Sequence, residues 1–287
     1  MNEHFFIYNN NFFRVGMTVI RADNRGLRYG DGLFETMRMH EGKILNADFH
    51  FDRFFQGMKM LQFDIPEDYS SEFFIERVNE LLLKNSISKN ARIRLMIFRS
   101  EGNIFDAENN FPNYILETFP LSGKIELNEN GLTIDVFADG KKNCDRFSNL
   151  KSNNYLLSVM AGKFAQKNNL DDAILLNAFG RICESSIANI FIIKNNKIYT
   201  PPLSEGCVAG VTRRWMIETF SLKNFSIEEK KLSVDDILEA DEIFLTNSIQ
   251  PIRWVKNFRG KIYGSEKVKE IFRNVIENIS GKKNIMF

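Results

Sequence analysis

The chain has 287 residues, of which 44% are hydrophobic and 26% charged, with a formal net charge of +1. This length exceeds what most single cores need, so we expect two domains. The near-zero charge argues against a nucleic-acid binder or a protein of anionic membranes. Three scattered cysteines and three scattered histidines fit neither a disulfide framework nor a metal site. No signal segment or membrane-length apolar run is visible, which predicts a cytoplasmic protein.

The N-terminal part of the sequence alternates short strands with two helices. Phenylalanines at helical spacing predict a helix from Asp48, and Ser71 is predicted to cap a second helix. Residues 9–11 predict a turn between the first two strands. The strands are predicted at 5–8, 12–15, 33–40, 93–97 and 114–118.

A proline and a glycine within 119–125 indicate a linker between domains 1–118 and 126–287. In the second domain, strands are predicted at 132–138, 173–176, 181–184, 190–194, 197–199 and 243–245. Helices are predicted at 154–166, 212–220, 233–239 and 266–279, and the first of them turns Leu157, Met160, Ala161 and Phe164 inward. Strands and helices mix without a strict βαβ rhythm or an internal repeat, so the predicted fold class is α+β.

Lys151 and Glu184 are the residues that point to chemistry. The lysine lies in a polar segment, and the glutamate ends a predicted strand beside two serines. A lysine amine, a carboxylate and anion-binding turns are what pyridoxal phosphate needs: a Schiff-base partner, a partner for the ring nitrogen and a grip on the phosphate. We therefore predict a pyridoxal-phosphate enzyme with Lys151 and Glu184 as catalytic residues. The alternative is a solvated lysine and a surface-paired glutamate.

Three places in the sequence are candidates for the phosphate. The segment 210–213 enters a predicted helix, whose first N–H groups bind anions, although Thr212 also suits a simple helix cap. Ser248 lies in a polar turn after a predicted strand. Arg53, among phenylalanines on a predicted helix, offers a guanidinium fork for a phosphate; the alternative is a solvated helix charge. Tyr155 is predicted on the same side of a helical turn as Lys151, where its hydroxyl would donate to the cofactor's phenolic oxygen; the alternative is a half-buried core tyrosine.

Together these motifs resemble the class IV, branched-chain-aminotransferase-like pyridoxal-phosphate enzymes of fold type IV. That family includes branched-chain aminotransferases, D-amino-acid aminotransferases and aminodeoxychorismate lyases. The resembling segments are, in chain order, 25–38, 50–54, 151–155, 184–191, 199–202, 210–213 and 240–248. The resemblance implies a small N-terminal α/β domain and a larger C-terminal α/β domain with a barrel-like sheet. It implies that Lys151 forms the Schiff base and Glu184 partners the pyridinium nitrogen. The residues implied to bind the rest of the cofactor are Arg53, Val211, Thr212 and Ser248 at the phosphate and Tyr155 at the ring oxygen.

Substrate-side residues must decide the reaction. The segments 30–36 and 246–252 resemble aminodeoxychorismate lyases, which form 4-aminobenzoate and pyruvate from 4-amino-4-deoxychorismate in folate biosynthesis. Arg94 sits where branched-chain aminotransferases carry an arginine that supports carboxylate recognition, although Arg92 replaces the preceding family tyrosine. The alternative is therefore an aminotransferase for branched-chain, less readily D-, amino acids with 2-oxoglutarate. The predicted substrate residues are Tyr29, Arg94 and Arg99.

The resemblance also implies a homodimer, because in that family a loop from a second subunit completes each active site. Segments 25–31 and 100–111, which are irregular and contain glycine, are the candidates to approach the partner; for the second, an ordinary surface loop is an equal alternative. A non-catalytic relative would typically lose the lysine or the pyridinium carboxylate, and this chain keeps both.

Overall fold

The computed structural model describes residues 4–105, 109–220 and 226–279. The chain divides into two compact units. The first contains the chain up to Lys124 together with Leu150–Asn154, and the second contains Ile125–Asn149 and the chain from Tyr155 onward. Residues 150–154 thus pack with the first unit, although the sequence boundary assigned them to the second domain. The first two residues of the predicted linker belong to a strand.

The first unit is a six-stranded antiparallel sheet with two main helices. Its elements are β1 (Phe5–Tyr8), β2 (Asn11–Arg14), α1 (Arg25–Tyr29), β3 (Gly32–His40), β4 (Lys43–Ile44), α2 (Ala47–Met60), α3 (Ser71–Lys84), β5 (Ala91–Arg99) and β6 (Pro112–Pro120). The strand order is β2-β1-β6-β5-β3-β4. Asn9 and Asn10 adopt left-handed conformations (φ 45° and 68°) in the tight turn between β1 and β2, where asparagine is favoured.

Helices α2 and α3 pack on the sheet through aromatic side chains. Phe74, which is fully buried, lies at the centre of this packing. The rings within 6.4 Å of its centroid are Phe51, Phe54, Phe55, Tyr69, Phe73 and Tyr114. Helix α3 is capped by Ser70, whose Oγ accepts a hydrogen bond from the Phe73 N–H at 3.1 Å. The prediction of Ser71 as the cap is therefore wrong by one residue, because adjacent serines give the same sequence signal.

The second unit is built on a nine-stranded mixed sheet. Its strands are β7 (Leu132–Lys142), β8 (Asp172–Asn177), β9 (Ile182–Ser185), β10 (Asn189–Lys194), β11 (Lys197–Thr200), β12 (Ile227–Glu229), β13 (Glu242–Thr246), β14 (Arg253–Phe258) and β15 (Lys261–Ile262). Its helices are α4 (Leu156–Lys167), α5 (Val211–Phe220), α6 (Val234–Glu239) and α7 (Glu266–Ile279), with a 3-10 turn at Leu203–Glu205.

The sheet of the second unit curls on itself. Its strand order is β12-β11-β10-β13-β14-β7-β8-β9, and β15 pairs with β14. Strands β9 and β10 lie five places apart along this path, yet they contact each other. The Ser185 N–H donates to the Ala188 carbonyl at 2.7 Å where one strand leads into the other. The result is the half-barrel that the barrel-like prediction anticipated.

Helix α4 differs from its prediction in one face. Ala161 and Ala165 are buried, but Met160, predicted to point inward, is 44% exposed. That assignment is wrong, because the small alanines form the contact with the sheet and leave the larger neighbouring side chain outside. Within the described residues, no helix is both long and apolar enough to cross a membrane.

Candidate active site

The main chain around Lys151 is hydrogen-bonded to strand β3 of the first unit. The Phe34 N–H donates to the Lys151 carbonyl, and the Asn153 N–H donates to the Gly32 carbonyl, both at 2.9 Å. Residue 32 has to be a glycine here, because a Cβ would overlap the Ile97 carbonyl and the Asn153 side chain. These bonds fix the lysine to a strand and not to a mobile loop.

Two cations lie against one aromatic ring beside this strand. The Lys151 Nζ is 4.5 Å from the centroid of the Phe34 ring, and the Arg94 guanidinium carbon is 4.6 Å from it. A cation over an aromatic face gains about 0.5–2 kcal/mol, so the ring holds both side chains. Arg94 is thereby brought close to the predicted catalytic lysine, whereas Arg92 lies against the ring of Phe119.

Arg53 belongs to a buried network with Glu35 and His50. Its Nε donates to Glu35 Oε1 at 2.8 Å, and its Nη2 donates to Glu35 Oε2 at 2.6 Å. The His50 Nδ1 lies 2.6 Å from the same Oε2. Strand β3 supplies the glutamate and helix α2 supplies the other two residues, one turn apart on its buried side. The network therefore orients the guanidinium that the sequence assigned to the phosphate.

In this network the glutamate side chain is ionised and the histidine side chain is neutral. Burial alone would raise the pKa of Glu35, but the neighbouring Arg53 and His50 lower this pKa to about 2. Burial lowers the pKa of His50, against the opposing effect of Glu35. The imidazole is then neutral at pH 7 and donates its Nδ1–H to the carboxylate.

We expect this network to make the free energy of unfolding depend on pH in the acid range. The pKa of Glu35 in the folded state, about 2, lies below its ordinary value of 4.5. Its stabilising contribution is therefore present above pH 4.5 and is lost as the pH falls through 2. The size is on the order of 3 kcal/mol. Denaturant unfolding across this range should show a flatter pH dependence for Glu35→Gln than for the wild type.

The same variant should also be less stable at neutral pH, because Arg53 then lacks its buried counter-charge. Glu76→Gln is the matched control, since this side chain lies on the exposed face of α3. Equal acid slopes for the wild type and Glu35→Gln would show that the network does not carry the expected charge.

The remaining predicted substrate residues also lie in the first unit. Each nitrogen of the Arg99 guanidinium donates inside it: Nε to Asn110 Oδ1 at 3.1 Å, Nη1 to Asp31 Oδ1 and Nη2 to the Leu61 carbonyl. Arg99 is also 93% buried, so it is a fixed structural group that is poorly placed to bind a substrate carboxylate. Tyr29 ends helix α1 and is 40% exposed.

Glu184 is clamped in the second unit by two donors. It lies on β9 opposite Leu175 of β8, and its side chain is 93% buried. The Lys142 Nζ donates to Oε1, and the Val208 N–H donates to Oε2 at 2.9 Å. The carboxylate is thus held in one orientation by groups from two separate segments.

The candidate phosphate segment forms the start of helix α5. The Arg214 N–H donates to the Gly210 carbonyl at 2.9 Å, so the N–H groups of residues 211–213 have no acceptor within the helix. Val211 and Thr212 are buried. A Cβ at Gly210 would overlap Asn189 Oδ1, so glycine permits this close approach to the start of β10.

The end of strand β13 lies beside Asn189 and also carries a polar side chain. Thr246 pairs with Asn189 across β13 and β10, and Ser248 follows it in a turn closed by Asn247, whose Oδ1 accepts from Gln250 N–H at 2.8 Å. Thr246 is 1% exposed, and its hydroxyl has no hydrogen-bond partner in residues 4–105, 109–220 and 226–279. The buried Thr246 hydroxyl near the start of helix α5 can donate a hydrogen bond to an anionic group such as a cofactor phosphate.

Tyr155 occupies a different local structure from the one predicted. Helix α4 begins at Leu156, two residues later than expected, and Tyr155 is its N-cap residue. Lys151 therefore does not share a helical turn with Tyr155, and the prediction of both residues on one side of a helix is wrong. The hydrogen bonds that draw residues 150–154 to β3 prevent the helix from starting earlier.

Sequence reasoning missed Glu35 and Lys142 as partners of predicted site residues. A charged residue within the apolar strand β3 was an available signal for Glu35, because a buried carboxylate needs a partner. No local signal existed for Lys142. Its reach depends on a register break in β7 between Phe137 and Lys141, which alternation of side chains does not reveal.

Comparison with known proteins identifies the family. A model of the family described as amino-transferase class IV matches residues 32–258. The chain belongs to the class IV aminotransferases. Members of this family are pyridoxal-phosphate enzymes, so the predicted family, enzyme class and cofactor are confirmed.

The relatives of this chain carry the names of different enzymes. A putative branched-chain-amino-acid aminotransferase of Methanocaldococcus jannaschii is 31% identical over 257 residues, 88% of each chain. An aminodeoxychorismate lyase of Bacillus subtilis is 28% identical over 275 residues, 92% of each chain. The crystal structure of a branched-chain aminotransferase from Thermoproteus uzoniensis matches with a TM-score of 0.87 at 23% identity, covering 98% of this chain and 96% of that one. This likeness confirms fold type IV.

Proposed function

We propose that Lys151 attaches the cofactor as its Schiff-base lysine and that Glu184 holds the proton on the ring nitrogen. The observation that carries this proposal is the placement of Lys151: its main chain is bonded to β3, and its Nζ lies on the Phe34 ring. A lysine fixed in this way keeps its amine at one position, as covalent attachment requires. The two-donor clamp on Glu184 supports its role, because an oriented buried carboxylate can partner a pyridinium.

We further propose that Arg53, Val211, Thr212 and Ser248 bind the cofactor phosphate and that Tyr155 donates to the ring oxygen. The start of α5 supports this, since its main-chain N–H groups offer donors to an anion. The fixed guanidinium of Arg53 supplies charge in a set orientation. We expect Arg53→Gln and Thr212→Ala each to bind the cofactor more weakly than the wild type. Measuring the cofactor affinity of both variants tests this assignment.

Bound pyridoxal phosphate supplies an electron sink for negative charge on the substrate carbon that bears the nitrogen. The amine of Lys151 would take the proton from that carbon. Glu184 would hold the proton on the ring nitrogen. These two roles serve a lyase and an aminotransferase equally.

For the overall reaction we propose an aminodeoxychorismate lyase of folate biosynthesis. After loss of the proton, the bond between the neighbouring carbon and the enolpyruvyl oxygen would break with its electrons leaving on the oxygen, and the substrate ring would become aromatic as 4-aminobenzoate. The released enolpyruvate would then take up a proton and become pyruvate. The segments 30–36 and 246–252 support this proposal, as does the Bacillus subtilis relative.

An aminotransferase acting on branched-chain amino acids and 2-oxoglutarate is the second candidate. It is favoured by Arg94, which lies on the Phe34 ring together with Lys151, where a guanidinium suits a substrate α-carboxylate. The Methanocaldococcus jannaschii relative also supports it.

Two assays on one preparation separate the candidates. Release of 4-aminobenzoate and pyruvate from 4-amino-4-deoxychorismate is expected for the lyase. Glutamate formation from leucine, isoleucine or valine with 2-oxoglutarate, without 4-aminobenzoate release, would instead establish the aminotransferase. D-Alanine is tested as a further amino donor in the aminotransferase assay.

We also propose a cytoplasmic homodimer. Leu156, Val159 and Met160 form an apolar stripe on α4 that is 73%, 50% and 44% exposed, and Phe147 is half exposed. Contiguous exposed apolar side chains of this kind mark protein interfaces. The segments 25–31 and 100–111 remain candidates for the same role, and residues 106–108 lie outside the described part of the chain. Sedimentation should give a dimer that Val159→Glu weakens; a fully active monomer would refute this.

A further inference from the structure

Lys142 reaches Glu184 across an intervening strand. The register between β7 and β8 shifts between Phe137 and Lys141, so that residues 138–140 form a bulge. Beyond the bulge Lys142 pairs with Asn177 at the end of β8, and its side chain extends to Glu184 on β9. Bulges re-aim side chains in this way beside functional sites. The ion pair is therefore built by a distortion of the sheet and is not an accidental surface contact.

The pair lies in a buried setting. The Lys142 and Glu184 side chains are 15% and 7% exposed. Two neighbouring thiols carry no charge at neutral pH, because burial raises the pKa of Cys183 and raises that of Cys207 to about 12. In such surroundings the effect of one ammonium on one carboxylate is much larger than in water.

We infer that Lys142 is a positioning residue that acts through Glu184 and shares its negative charge with the cofactor's ring nitrogen. The inference rests on the proposed role of Glu184. Two cationic partners, the ammonium and the protonated ring, compete for one carboxylate. Lys142 therefore balances the negative charge of Glu184 before the cofactor binds, and it moderates how strongly Glu184 attracts the ring nitrogen afterwards.

The competition fixes the direction of the effect. Without Lys142, the buried carboxylate keeps the Val208 N–H but loses its charged partner, and the ring nitrogen becomes the group that compensates it. Repulsion between the ammonium and the protonated ring also disappears. Both changes strengthen the interaction between Glu184 and the nitrogen, so Lys142→Met should increase the protein's preference for a ring that contains this nitrogen.

The test compares two ligands on the apoprotein. One is pyridoxal phosphate, and the other is its analogue with carbon in place of the ring nitrogen; calorimetry gives the ratio of their dissociation constants. We expect Lys142→Met to raise the preference for pyridoxal phosphate about ten-fold, and Lys142→Arg, which keeps the charge, to stay within about two-fold of the wild type. Lys141→Met, at an exposed neighbour, is the matched control and should leave the ratio unchanged.

A double variant shows whether the effect passes through Glu184. In a Glu184→Gln background, adding Lys142→Met should no longer change the ratio. Lys142→Gln provides a second neutral variant if Lys142→Met folds poorly, with folding checked by circular dichroism. An unchanged or lowered ratio in a folded neutral variant would overturn the inference. A wild type that does not distinguish the two ligands would instead overturn the proposed role of Glu184.

Discussion

Replacing Lys151 with alanine is expected to abolish covalent attachment of the cofactor and to lower turnover at least about a thousand-fold. The amine would serve twice, as the point of attachment and as the group that moves the substrate proton, and alanine can do neither. The fold should survive. The bonds that fix this segment to β3 come from the main chain, which alanine retains, and the lost contact with the Phe34 ring is worth about 0.5–2 kcal/mol.

Borohydride reduction of the loaded protein followed by peptide mass mapping measures the attachment directly. The adduct should map to the peptide that contains Lys151 and should be missing from the variant, whose circular dichroism should match the wild type. Lys59→Ala is the control, since this lysine is exposed on α2 in the same unit. Substantial turnover by Lys151→Ala, or an adduct on another lysine, would show that the central assignment is wrong.

Glu184→Ala should separate cofactor binding from catalysis. The proposed phosphate-binding residues and Lys151 remain, so the variant should still bind pyridoxal phosphate. Its turnover should fall about 100-fold to 10,000-fold, because a ring nitrogen without a proton partner makes a poorer electron sink. Single-turnover measurements with saturating cofactor would distinguish this chemical defect from weak binding.

Glu184→Gln is the companion variant, since it keeps the side-chain shape and an acceptor for the Val208 N–H but not the charge. We expect it to lose activity nearly as completely as the alanine variant. If Glu184→Gln keeps wild-type turnover, catalysis depends on the shape of this side chain and not on its charge.

The sequence predicted most of the regular elements, because their patterns are local. The apolar spacing of α2 and the strand pattern of β3 located both within two residues. The short helix α1 and strands β4, β12, β14 and β15 were missed. Short elements give few positions from which to establish a period, so some of them are found from the sequence and others are not.

In the candidate site, too, the sequence revealed local motifs but not contacts between distant segments. Lys151 and Glu184 were singled out from local motifs, but their partners come from distant segments. The Glu35 network joins β3 to α2, and the clamp on Glu184 joins β7 and the Val208 segment to β9. Such pairings depend on register and bulges, which one sequence does not display. The burial of Arg99 by Asp31 and Asn110 was hidden for the same reason.

The placement of residues 150–154 in the first unit affects how the protein is made. This unit is not a continuous stretch of chain, so the start of β3 lacks its neighbour at residues 151–153 until synthesis has passed them, later than every strand of its own sheet. A gene fragment that stops at Lys124 would encode a sheet without that neighbour and without the lysine. The two units therefore cannot be exchanged between related enzymes as intact blocks by a single crossover, and recombination must carry residues 150–154 along with the N-terminal segment.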